Sequence, residues 1–130
     1  MENILNNTAS ATGNYNDIPT TITSDVSTVT LLNGLTITKT ADKQVWADGL
    51  LTYTLTIKNE EGVEYTNPVI TDVLDGTLVT FVPDSVTING VKATSEQYTY
   101  NEETNTLTIN LASIAASSTT TVTFQVTKKA

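Results

Sequence analysis

From residue 50 to residue 58 the chain reads LLTYTLTIK, with Leu51, Tyr53, Leu55 and Ile57 at every second position and Thr52, Thr54 and Thr56 between them. A period of two places the apolar set on one face of an extended strand and the threonines on the other, whereas a helical period would scatter both sets around its axis. The same alternation recurs at Leu107, Ile109 and Leu111, and at Val122, Phe124 and Val126. These three sets are the predicted core. Strand patterning is read over residues 4–12, 20–32, 35–41, 50–58, 68–74, 78–82, 85–88, 98–100, 106–111 and 119–127. Turn chemistry separates the runs: Asp48-Gly49, Asp75-Gly76, Asn89-Gly90, and NEETN at residues 101–105. Short strands rich in Thr, Val, Ile, Leu and Tyr, broken by such turns, predict an all-β sandwich.

Charge and missing residue types narrow the function. Six basic residues stand against 14 acidic ones, a formal charge of -8, and the lysines form no stripe able to neutralise a phosphate backbone, so nucleic acid is not an expected partner. Cysteine is absent, which removes disulfides as a source of strength. Histidine is absent too, which removes Ser-His-Asp catalysis and ordinary zinc sites. No cofactor, small-molecule substrate or catalytic turnover is expected. No apolar run reaches the length of a membrane span, and residues 1–15 lack the basic start and apolar middle of a secretory signal, so membrane insertion is not expected. Glu60, Glu61, Glu64, Glu102 and Glu103 fall in or beside turns without the spacing of a calcium loop and read as solvated, with no metal site. Trp46 reads as a packing residue at a corner between strands.

Residues 35–59, LTITKTADKQVWADGLLTYTLTIKN, resemble the opening of the conserved repeat domain of bacterial surface proteins catalogued as domain of unknown function eleven. NPVITDVLDGTLVTFVPDSVTING, YTYNEETNTLTINLASIAASSTTTVTFQV and the N-terminal ILNNTASATG resemble further blocks of the same family, so the similarity covers nearly the whole chain. Asp75 stands where the family usually has proline. The block order also departs: the NTASATG-like strand closes the family's domain but here precedes it. The resemblance implies an immunoglobulin-like β-sandwich, residues 35–130, with an N-terminal strand extension, residues 1–34. It also implies an extracellular place, on a bacterial cell or spore surface.

Parity along the strands places three polar residues inward. Asn7 shares its face with Leu5, Ala9 and Ala11; Lys39 with Leu35, Ile37 and Ala41; Asp72 with Ile70 and Leu74. Burial would drive the lysine and the aspartate toward their neutral forms, and a neutral lysine amine is a nucleophile. Attack on the Asn7 carboxamide, with protonated Asp72 assisting, would leave an isopeptide bond and ammonia in a single turnover. Surface domains of the collagen-adhesin type carry such links, and the resemblance implies the same roles for Lys39, Asn7 and the catalytic Asp72. Asn6 competes as acceptor but shares its face with Ile4, Thr8 and Ser10, the more polar side. The plain alternative is an unreacted polar cluster, or a Lys39 whose stem reaches out to water.

In the family, strands like residues 1–32 complete the domain that precedes them. Residues 35–130 are therefore expected to lack their closing strands, and residues 1–32 of another copy to supply them, giving a head-to-tail homopolymer such as a pilus or fibre. The competing expectation takes Asn33-Gly34 as a type I′ hairpin that folds the extension back to complete its own domain, as in a monomeric repeat module of a surface adhesin. A ligand-binding adhesin would need an exposed recognition patch, and none is evident in the loops.

Overall fold

A computed structural model of the protein describes residues 3–31 and 33–129. No helix occurs among them, and the fold is all-β, as the two-residue periodicity requires. Two compact units divide the chain, residues 1–33 and residues 34–130.

The first unit is a two-stranded ribbon of four strands, β1 (Asn3–Asn7), β2 (Ser10–Tyr15), β3 (Ile18–Thr23) and β4 (Ser27–Leu31). Strands β2 and β3 form a hairpin whose two turn residues, Asn16 and Asp17, have φ of 52° and 63°, the left-handed pair of a type I′ turn. Strands β1 and β4 pair antiparallel, Asn3 opposite Leu31 through Asn7 opposite Ser27. The expected continuous strands over 4–12 and 20–32 are each broken, because two residues on one side, 8 and 9, face three on the other, 24 to 26. This is the extra residue of a β-bulge, fixed by Ser24 N–H to the Ala9 carbonyl at 2.8 Å and Ala9 N–H to Ser24 Oγ at 3.0 Å. The extra residue reconciles a change of parity in the sequence. Ile18 and Ile22 are the even-numbered apolar positions of β3, whereas Val29 is an odd one on β4.

The register sorts the ribbon's two faces. Leu5 opposes Val29 and Asn7 opposes Ser27 on one face of β1–β4; Ala11 opposes Ile22 and Tyr15 opposes Ile18 on one face of β2–β3. The reverse faces are the more polar, with Ile4 opposite Thr30 beside Asn6 opposite Thr28 and Thr12 opposite Thr21, the last two pairs hydrogen-bonded through their side chains. Leu5, Val29, Ile22, Ile18 and Tyr15 are all exposed.

The second unit is a sandwich of β5 (Leu35–Ala41), β6 (Leu50–Asn59), β7 (Val69–Val73), β8 (Val79–Phe81), β9 (Thr87–Ile88), β10 (Val91–Lys92), β11 (Tyr98–Asn101), β12 (Thr106–Asn110) and β13 (Ser118–Lys128). One sheet runs β10-β9-β13-β6-β5, with β8 also paired to β13; the other runs β11-β12-β7. The three sets read from alternation form the core between them. Leu51, Leu55 and Ile57 are buried with Leu107, Ile109, Leu111, Val122, Phe124 and Val126, while Tyr53 and Trp46 pack partly buried against them. Asn89 and Gly90 take φ of 50° and 82° and close the β9–β10 hairpin as the sequence predicts.

Two expectations fail here. Gly34 does not adopt a left-handed φ, so Asn33-Gly34 is not a type I′ turn, and β4 takes β1 as its partner. Gly34 instead serves a close approach. It is buried with its N–H 2.6 Å from Glu61 Oε1 and its carbonyl accepting from Glu60 N–H, and a Cβ there would stand 2.8 Å from Glu61 Oε1. Glu61 is accordingly not a solvated loop residue but only 3% exposed. The fully buried Asn59 holds this corner, its amide donating to the carbonyls of Val63, Ile114 and Ala115 and its Oδ1 accepting from Glu61 N–H.

Candidate functional site: the open seam between β5 and β7

Strands β5 and β7 end their respective sheets, and they end them on the same side of the sandwich. Register fixes what they turn inward. Ile37 opposes Ile57 and Lys39 opposes Leu55, both partners buried, so Leu35, Ile37, Lys39 and Ala41 lie on the core face of β5. Ile70 opposes Ile109 and Asp72 opposes Leu107, again on the core face. The two inward polar residues meet across the seam, with Lys39 Nζ 2.8 Å from Asp72 Oδ2 and 3.0 Å from Oδ1.

The seam is open. A cleft of about 280 Å³ lies between Leu35, Ile37, Ile57, Tyr65 and Ile70, and another of about 270 Å³ continues it past Ile37, Leu55, Lys39 and Asp72. Ile37, although it faces the core, is 56% exposed. The unpaired outer edges of β5 and β7 flank this groove with backbone donors and acceptors. The side chain of Lys39 is 40% exposed and that of Asp72 10%, which corrects the expectation of a buried pair. Both point inward as parity requires, but among the described residues of this unit, 34–129, none roofs the seam, so Lys39 keeps contact with water.

Asn7 lies in the ribbon, exposed, on the apolar face beside Leu5 and Val29. It too is not buried, since a two-stranded ribbon has no interior. Asn6 points to the opposite face, where its Oδ1 accepts the Thr28 hydroxyl at 3.0 Å. The structure thus brings Lys39 and Asp72 together within the second unit and places Asn7 on the first.

Periodicity did not reveal the aromatic floor of the site. Lys39 Nζ sits 4.4 Å over the centroid of the Tyr53 ring and 5.9 Å from that of Phe124, itself fully buried. The signal was in the sequence, since Tyr53 shares parity with Leu55, but the pairing that sets Lys39 beside them requires the β5–β6 register.

A larger cleft of about 510 Å³ lies between β8 and β11, where Lys39 and Asp72 take no part. Its aromatic rings are engaged with one another: Phe81 stacks on Tyr100 at 4.7 Å, and the Tyr98 and Tyr100 hydroxyls bond Asp84 and Asn105. Among the described residues no cluster of three His, Cys, Asp or Glu side chains is placed to hold a metal ion. No protein family, curated protein or solved structure matches this chain. Geometry and chemistry therefore carry the functional argument.

Proposed function

We propose that this protein is the structural subunit of an extracellular fibre on a bacterial cell or spore surface, an immunoglobulin-like sandwich completed by the N-terminal ribbon of the next copy. The observation that carries the reading is the open seam. Core-face residues of β5 and β7 line an uncovered groove between two free strand edges, and the same chain carries a ribbon with one apolar face and nothing packed on it within its own unit. Strand addition satisfies the edges and buries both apolar faces. An isolated two-stranded ribbon is marginally stable by itself, so the ribbon gains order from the same event. A head-to-tail contact that does not close on itself yields an open filament.

The polar residues in the joint supply its lock. Seating the ribbon with Asn7 at the Lys39–Asp72 pair removes water from an ion pair, and desolvation favours transfer of a proton from Nζ to the carboxylate. The neutral amine attacks Cγ of Asn7, forming the new C–N bond, while protonated Asp72 donates a hydrogen bond to the carboxamide oxygen. The remaining extra amine proton passes to the departing amide nitrogen, the old C–N bond breaks, and the products are a secondary amide, ammonia and protonated Asp72. Each site reacts once. Covalent joints of this kind give a cysteine-free fibre its strength.

Tryptic mass spectrometry of assembled full-length protein tests the reading. It is expected to yield a branched peptide joining the Lys39 and Asn7 segments, lighter by one ammonia than their sum. Only linear peptides containing those residues would overturn the covalent lock.

A further inference from the structure

We infer that Tyr53 is the positioning residue of this cross-link, holding the Lys39 head inside the seam with the face of its ring; the inference rests on the fibre reading above. Lysine has a flexible four-carbon stem, and at an open seam its head is drawn outward to bulk water. Asp72, its side chain 10% exposed, is one anchor for the ammonium, but an exposed ion pair holds a flexible lysine head only weakly. The Tyr53 ring resists that movement. Its centroid lies 4.4 Å from Nζ, on the core side of the pair, where the negative face of the ring attracts the cation.

The ring is itself held in place. Tyr53 pairs with Phe124 across β6 and β13, their centroids 5.4 Å apart, and Phe124 is fully buried. On its other side Tyr53 pairs with Ala41, two positions along β5 from Lys39, so it is a diagonal neighbour of the lysine on one face. The protonated head is thereby held in the seam until the ribbon docks, so that when its proton passes to Asp72 the amine is already where the arriving carboxamide meets it.

A one-directional assay separates docking from chemistry. Full-length Asn7→Ala keeps the acceptor seam and cannot donate a link; full-length Lys39→Ala donates and cannot accept one; mixed, they form a single covalent dimer read on a denaturing gel. Tyr53→Leu in the Asn7→Ala partner is expected to slow linking at saturating donor by about two- to thirty-fold, the range of a cation–π contact from exposed to desolvated sites. The donor concentration giving half-maximal rate should stay unchanged. Tyr53→Phe should restore the rate, and a trifluorinated phenylalanine at position 53, which keeps the shape but removes the negative ring face, should not. The fluorinated variant also answers if the leucine variant fails to fold. Linking by the leucine or fluorinated variant at or above the parent rate overturns the role of Tyr53. No dimer from the parent pair would overturn the fibre lock, and this inference with it.

Discussion

Asp72 on β7 and Lys39 on β5 belong to different sheets of the sandwich, yet their charged groups meet at 2.8 and 3.0 Å across the seam between these two terminal strands. Each lies on its strand's core face, directly opposite a buried leucine, Leu107 and Leu55 respectively. A lysine and an aspartate turned toward a core are costly unless paired, and the pair sits where an added strand would seal it.

The ion pair should contribute little to the unassembled subunit. With Lys39 40% exposed, solvent screens the attraction, and Asp72→Asn is expected to lower unfolding stability by about 1 kcal/mol or less. The same substitution should abolish linking, since no group then accepts the lysine proton. A denaturant titration beside a denaturing gel measures both. A large loss of stability together with unimpaired linking would reverse these roles.

Core and seam residues should separate in the same way. Ile109 is fully buried, and Ile109→Ala is expected to cost about 2–5 kcal/mol. Ile37 faces the core but stands at the open groove, so Ile37→Thr should change subunit stability by only about 0.5 kcal/mol. It should nevertheless weaken assembly, seen as a higher protein concentration needed for fibres by electron microscopy.

Gly34→Ala should be destabilising by roughly 1–3 kcal/mol, because its Cβ would fall 2.8 Å from Glu61 Oε1 and 3.1 Å from the backbone carbonyl carbon of Glu60. The glutamate oxygen can shift; the backbone carbon yields less easily. Thermal unfolding of the variant checks this, and an unchanged midpoint would mean that the corner relaxes freely.

Much of this architecture was legible in the chain, and the failures have physical reasons. Alternation located the core on β6, β12 and β13 because a buried strand face repeats every two residues regardless of its partners. Parity likewise turned Lys39 and Asp72 inward. Their exposure could not be read, because it depends on which strands end the sheets. Asn33-Gly34 has the composition of a type I′ turn, yet Gly34 is used for its lack of a side chain against Glu61. The pair that makes the turn of the ribbon, Asn16-Asp17, has no glycine at all. Glu61 looked like a solvated loop residue because its hydrogen bond to Gly34 joins residues 27 apart in sequence.

Acid should reduce stability at two loops. The Thr52 N–H, and then the Lys43 ammonium, hold the Asp42 carboxyl below its ordinary 3.8; the Thr77 hydroxyl, and then the Thr77 N–H, do the same for Asp75. A carboxyl with a lowered folded value contributes stability that is present above the ordinary value and lost as pH falls through the lowered one. The denaturant midpoint should therefore drop as pH falls below about 4, and the double variant Asp42→Asn, Asp75→Asn should show a shallower drop. An identical profile for both proteins would remove these two residues from the acid response.

The most direct measurement is boiling of assembled full-length protein in detergent, followed by electrophoresis and intact mass. Donation between copies predicts a ladder of multiples that grows with protein concentration during assembly, each joint lighter by one ammonia. Asn7→Ala should collapse it to monomer while fibres persist under the electron microscope, since strand pairing and apolar burial survive that change. A single monomer band carrying an internal Lys39–Asn7 link, at every concentration, would contradict the fibre and show instead a subunit that completes its own seam.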